Sequence, residues 1–78
     1  MSIIYTKHLL ESITLRGIKK ELVEMCVNKP DIKFSATGNK KAYLKDFGVN
    51  YLKIIVSEEN FDIVVITAYW FAKSRLKV

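Results

Sequence analysis

The chain has 78 residues, half of them hydrophobic, which suffices for one domain with one small core and argues against disorder. Thirteen Lys and Arg against eight Asp and Glu give a formal net charge of +5, a balance that favours acidic partners such as nucleic acid. The single cysteine, Cys26, excludes an intrachain disulfide framework and a cysteine-rich metal site. A reduced, cytoplasmic setting is therefore expected.

Two stretches argue against a membrane protein. The N-terminus, Met1 to Lys7, lacks the apolar core of a signal peptide, and the longest uncharged apolar run, Ile63 to Ala72, is too short to span a bilayer. We therefore expect a soluble protein with no membrane partner.

The first part of the chain predicts two helices. Thr6 is a suitable helix N-cap, apolar residues recur from Leu9 to Ile13 at helical spacing, and Gly17 supplies a C-terminal stop. A second helical pattern runs from Ile18 to Val27 and ends at Asn28-Lys29-Pro30.

Beyond Pro30 the hydrophobic period changes from helical to two, which predicts strands. The predicted strands are Ile32 to Ala36, Ala42 to Phe47 with Tyr43 and Phe47 on one side and Leu44 on the other, Tyr51 to Val56, and Phe61 to Phe71. Turns are predicted at Thr37 to Lys40, Gly48 to Asn50 and Ser57 to Asn60. The last strand is so dense in β-branched and aromatic residues that we expect it at the centre of the sheet, covered on both faces.

This order of elements predicts an α+β fold. Two N-terminal helices pack on one face of a four-stranded antiparallel β-meander, and no linker or repeat divides the single domain of residues 1–78. The basic tail from Ala72 to Val78 is expected to extend the last strand or to fray.

The first helix carries a candidate catalytic stripe. His8 is the only histidine, and on a helix Ser12 lies about 40° and Arg16 about 80° around from it. A proton-transferring imidazole with a cation on the next turns suits a phosphodiester reaction, because the cation stabilises charge on the phosphate oxygens. The alternative is that His8 is a surface residue and Arg16 a partner of the helix dipole.

Basic and aromatic residues also alternate along the predicted strands. Such a pattern can follow a phosphate backbone while stacking bases, or it can be the solvated face and protected edge of a sheet. The candidate nucleic-acid-binding residues are Lys33, Lys40, Lys41, Lys45, Lys53, Tyr43 and Tyr51.

The other reactive or aromatic residues give structural predictions. Tyr69, Trp70 and Phe71 fit the core and a homodimer surface, and Cys26 lies on the apolar side of the second helix as an inert thiol. The sequence has no Gly-rich phosphate loop, paired-carboxylate motif or spaced ligand set. We therefore predict neither a metal nor a cofactor.

Several short motifs resemble the domain-of-unknown-function family 4258 over nearly the whole chain. They are Tyr5-Thr6-Lys7-His8, Arg16-Gly17-Ile18, Asn28-Lys29-Pro30, Leu52-Lys53-Ile54-Ile55-Val56 and Val65-Ile66-Thr67-Ala68-Tyr69. In that family a helical His, the Arg of the Arg-Gly-Ile turn and a Thr in the last strand recur, which correspond here to His8, Arg16 and Thr67. Ser12 departs from the family's pattern, since members often carry an Arg one turn after the His.

The resemblance also implies a fold and an activity. The family is similar in element order to the nuclease-like RelE, ParE and BrnT toxins, so a RelE-like sheet, a ribonuclease ancestry and an antitoxin-like partner are expected, although one fold can carry unrelated functions.

Together these features predict a small RNA-directed, toxin-like protein, in its most specific form a metal-independent endoribonuclease. His8 would be the general acid or base, Arg16 and a lysine such as Lys53 would neutralise the phosphate, and Thr67 or Tyr69 would position the reacting group. Two alternatives stay open: a non-catalytic nucleic-acid-binding module, and a homo-oligomeric interaction protein.

Overall fold

The computed structural model describes residues 2–73 and folds them into two helices and one sheet of five strands. In chain order the elements are β1 (Ile3–Tyr5), α1 (Lys7–Leu15), α2 (Lys20–Asn28), β2 (Ile32–Ser35), β3 (Lys40–Asp46), β4 (Asn50–Glu59) and β5 (Asp62–Ala72). The predicted α+β class is confirmed. The predicted extension of the last strand reaches Ala72, and its remainder at residues 74–78 lies outside the described residues.

The prediction of a purely antiparallel, four-stranded sheet is wrong. The strand order is β1-β5-β4-β3-β2; β2 to β5 pair antiparallel, and β1 joins β5 in parallel, with Ile3 beside Ile63 and Tyr5 beside Val65. A strand of three residues is too short to show a period of two, so its sequence reads only as a short apolar start. The sheet is therefore mixed, and its central strand is β4, not β5.

Helix α1 begins and ends as its sequence predicts, and α2 ends before Pro30 as predicted but begins at Lys20, two residues after Ile18. The hydroxyl of Thr6 accepts a hydrogen bond from the Leu9 N–H at 3.0 Å and so caps α1. At the other end Gly17 adopts φ = 67°, and the Ile18 N–H donates to the Ile13 carbonyl at 2.8 Å, which is a Schellman stop. Because Ile18 precedes the Lys19 cap of α2 and is buried like Val23, the two residues are placed to anchor the start of this helix.

The core lies between the two helices and one face of the sheet, which we call the inner face. Helix α1 packs on β5, while α2 packs on β4 and β3. The strands contribute alternate residues to this core, among them Tyr43, Leu52, Ile54 and Val65. Neither helix of residues 2–73 is long and apolar enough to cross a membrane.

A β-bulge interrupts β5. Val65 pairs with Val56 and Thr67 with Ile55, so Ile66 is one residue more than β4 can match. After the bulge Ala68 belongs to the inner-face core. Thr67, Tyr69 and Phe71 therefore lie on the opposite side, which we call the outer face.

The outer face has no helix or strand of residues 2–73 packed on it. The prediction that the last strand is covered on both faces is therefore wrong. The apolar residues of β5 serve both faces of the sheet. They fill the core on the inner face and form a half-exposed aromatic surface on the outer one. Phe61, predicted to begin this strand, lies in the turn before it and is exposed.

Candidate nucleic-acid interface

The outer face of the sheet carries a lysine surrounded by aromatic rings. Lys53 lies on the central strand, between Leu44 of β3 and Tyr69 of β5 in the register of the sheet. Its Nζ lies 5.1 Å from the ring centroid of Phe71, 5.6 Å from that of Phe34 and 5.7 Å from that of Tyr69. All three distances are within the range of cation–π attraction.

The same side chains shield an apolar floor. Leu44 and Ala42 are fully buried although they belong to the outer side of β3, with Ile32 and Phe34 beside them on β2. Because cross-strand neighbours on one face contact each other, the lysine stem and the Phe34 ring provide that cover. Phe34 nevertheless keeps 45% of its surface exposed, so its ring is available to a ligand.

A second cation at the end of this face is neutralised. Lys73 lies 5.4 Å from the Tyr51 ring centroid, and its Nζ donates to Asp46 at 2.8 Å. The hydrogen bond from Lys73, with another from the Gly48 N–H, holds the pKa of the Asp46 carboxyl below its ordinary value. Lys53 forms no salt bridge with a described residue, so its charge is open to an incoming anion.

The predicted nucleic-acid-binding residues divide between the two faces. Lys53 and Tyr51 lie on the outer face, and Lys40 begins β3 beside Ser57 on the same side. On the inner side Tyr43 is buried, and burial raises the pKa of its hydroxyl. A buried ring cannot stack on a base.

The remaining lysines on the inner side already have partners. Lys33 lies over the Tyr43 ring at 5.3 Å, Lys41 pairs with Glu58 at 3.1 Å, and Lys45 donates to the Lys29 carbonyl at 2.9 Å. Through these contacts the three lysines stabilise the fold.

The predicted catalytic residues lie on different elements, and no hydrogen bond joins any two of them within residues 2–73. His8 is exposed on α1, and Arg16, at the end of that helix, donates from one guanidinium nitrogen to the Ala68 carbonyl at 2.7 Å. Thr67 lies across the sheet on the outer face. A surface hollow of about 570 Å³ lies along α1, lined by Lys7, Leu10, Glu11, Thr14 and Leu15, and none of the three residues lines it. Their catalytic roles stay predictions.

Two of the rings around Lys53, Phe34 and Phe71, were not among the predicted site residues. The period of two already places Phe34 on the same side of β2 as Ile32. What the sequence lacks is a signal for the bulge at Ile66, and that bulge determines that Phe71 faces Lys53.

The comparisons with known proteins identify a family and no function. The family model described as "Domain of unknown function (DUF4258)" matches residues 5–70, most of the chain, so the chain belongs to this family. No curated protein and no solved structure matches it.

Proposed function

We propose that this member of the DUF4258 family binds single-stranded RNA on the outer face of its sheet. The observation that carries the proposal is the position of Lys53, a cation without a carboxylate partner among the described residues, within 6 Å of three aromatic rings on an uncovered surface.

The chemistry of this surface suits unpaired nucleotides. Every base has a π-face, and stacking on an aromatic side chain contributes about 1–3 kcal/mol per base. Tyr69 and Phe71 lie two residues apart on one strand, roughly 7 Å along it, a spacing that allows one base on each ring. Lys53, opposite Tyr69 on β4, is then placed to neutralise a phosphate between them.

Lys53 has a different role in the free protein and in the complex. Without a ligand its ammonium group occupies the faces of the rings. An incoming base takes that position, and the flexible lysine stem carries the charge outward to the phosphate backbone. The net charge of +5 favours the encounter.

The test is the salt dependence of binding to fluorescent single-stranded RNA. Lys53→Met keeps the apolar stem and removes the charge, and we expect roughly tenfold weaker binding at low salt with a log–log salt slope reduced by about 0.7. The matched control is Lys33→Met, which removes a lysine that lies over a single ring on the inner side and should retain near wild-type affinity. Equal losses in both variants, or no binding by the wild-type protein, would refute the proposal.

RNA cleavage is a second candidate, because Thr67 and Tyr69 carry hydroxyl groups on the same face of the sheet as Lys53. The RelE-like, toxin-type classification and an antitoxin-like partner belong with this candidate and rest on the resemblance of motifs. Purified protein should be compared with Tyr69→Phe and with the His8→Ala, Arg16→Ala double variant on mixed RNA. Loss of RNA cleavage in Tyr69→Phe alone would place the chemistry on the outer face. Loss of cleavage in the double variant alone would support the predicted helical site. No cleavage by any of them leaves binding alone.

A further inference from the structure

Within residues 2–73, strand β5 has a long unpaired edge. Its parallel partner β1 ends at Tyr5, beside Val65, whereas β5 continues to Ala72. From Ile66 onward β5 therefore pairs only with β4, and within residues 2–73 the Arg16 side chain is the group that bonds to the free side, at the Ala68 carbonyl.

The hydrogen-bonding groups on this edge can be assigned. The Ile63 N–H donates to Ser2 and the Val65 carbonyl accepts from Thr6, so these residues point away from β4. The bulge restores the same direction at Ala68, whose carbonyl is reached by Arg16. Since backbone groups alternate sides along an antiparallel strand, the N–H and C=O groups of Trp70 and Ala72 also point to the open edge.

The opposite edge of the sheet is protected, whereas within residues 2–73 this one is covered by the Arg16 contact alone. The outermost strand there, β2, has only four residues, includes Lys33 and follows Pro30 closely, features that discourage pairing with another strand. The segment Ile66–Ala72 contains no charge and no proline. Trp70 is 38% exposed, so neither α1 nor α2 closes the inner face beside it.

We propose that this edge pairs antiparallel with the same edge of a second copy of the chain, about a two-fold axis at Trp70. In that register Trp70 faces Trp70 of the second copy and Ala68 faces Ala72, so each of these positions meets a residue whose N–H and C=O also point across the interface. Six backbone hydrogen bonds form, and no like charges oppose one another within the paired segment.

The size of this interface predicts a weak dimer. Interfaces carry about one hydrogen bond per 100–200 Å², so six bonds correspond to roughly 600–1,200 Å² of buried surface, at the low end for specific association. Arg16 weakens it further, because its bond to the Ala68 carbonyl must be released in each copy. Concentration-dependent association is therefore expected.

The dimer would also complete the RNA-binding surface, an extension that rests on the proposed function. Tyr69 faces Phe71 of the second copy in this register, and both belong to the outer face. The aromatic surfaces of the two copies then form one continuous surface across the axis, which takes a longer single strand than either copy alone.

Sedimentation velocity from about 1 μM to about 1 mM, without RNA, tests the pairing. Ala72→Pro removes an N–H that points to the open edge and should keep the protein monomeric at concentrations where the wild type dimerises. Ser35→Pro is the matched control on β2, because the Ala36 N–H bonds to Lys40 and the Ser35 N–H therefore points outward. Arg16→Ala should lower the dissociation constant of the dimer roughly tenfold.

Amide hydrogen exchange provides a readout that needs no variant, since Trp70 and Ala72 should gain protection as the concentration rises. A wild type that is monomeric throughout, or Ala72→Pro and Ser35→Pro dimerising equally, would overturn the pairing. Binding of RNA of about 4 and about 12 nucleotides separates the two proposals. A dimer that binds neither refutes the RNA role alone, and a monomer that binds both refutes the dimer alone.

Discussion

The two faces of the sheet differ in what covers their buried residues. On the inner face, aliphatic residues such as Leu52 and Ile54 are fully buried beneath two helices. On the outer face, Leu44 is equally buried, but the cover comes from neighbouring side chains, including a lysine and a phenylalanine. Burial on the inner face depends on packing between elements, whereas burial on the outer face depends on side chains that can move. The outer face can therefore exchange its cover for a ligand.

The largest expected difference between the faces is in stability, and two residues of β4 on opposite faces can measure it. Leu52→Ala should lower the free energy of unfolding by about 2–5 kcal/mol, because a cavity forms beneath the helices. Ile55→Ala, which truncates a half-buried side chain on the outer face, should cost only about 1 kcal/mol. Urea denaturation of both variants gives the two values. Equal losses would show that the outer face is packed as tightly as the core.

A second property of the inner face is the response of its stability to alkaline pH, which the buried thiol of Cys26 determines. Burial, more than the nearby Asp31, raises the pKa of the Cys26 thiol from 9.0 to about 12, and its Sγ lies 3.6 Å from the Tyr43 carbonyl and 3.5 Å from that of Leu52. The unfolded chain loses this proton at lower pH than the folded one. The contribution to stability is therefore complete below about pH 9 and falls as the pH rises toward 12.

The measurement is the free energy of unfolding as a function of pH. Above about pH 9 the wild-type value should fall more steeply than that of Cys26→Ala, by at most about 1.4 kcal/mol per pH unit. Identical pH profiles would mean that the thiol ionises as readily in the folded protein as in the unfolded chain.

A third difference between the faces is in ligand binding, and Phe34 on the outer face measures it. Phe34→Ala removes one half-exposed ring from the outer face and should weaken binding of single-stranded RNA by about 1–3 kcal/mol. Phe47→Ala is the comparison on the inner face, where Phe47 contacts Trp70 edge to face with centroids 6.0 Å apart. It should affect stability more than binding. Fluorescence anisotropy and urea denaturation of both variants would show whether the two properties separate by face.

Local patterns predicted most of the fold. Thr6, Gly17 and Pro30 mark the helix ends, because capping and backbone restriction act over a few residues, and the sides of β3 taken by Tyr43 and Leu44 follow from alternation alone. The parallel pairing of β1 with β5 was missed because it joins residues about sixty positions apart through three residues only.

The candidate site was harder to predict than the fold. Lys53 and Tyr51 share a face by alternation along β4, but whether Tyr69 joins them depends on the register of β4 with β5 and on one unmatched residue. The helical stripe from His8 to Arg16 is visible in the sequence, yet Arg16 bonds to the Ala68 carbonyl at the edge of the sheet and Thr67 lies on the outer face. The spacing of residues along a helix does not indicate which side of the sheet that helix packs on.

The bulge at Ile66 has a genetic consequence. If the codon for Ile66 were deleted, Val65 and Thr67 would become consecutive and would pair with Val56 and Ile55 in a continuous ladder without a bulge. Tyr69 and Phe71 would keep their partners on β4 and would stay on the outer face, because the later register does not change. Sequences related to this one that lack the additional residue should accordingly keep their aromatic residues on the outer face, one position nearer to Val65 along the chain.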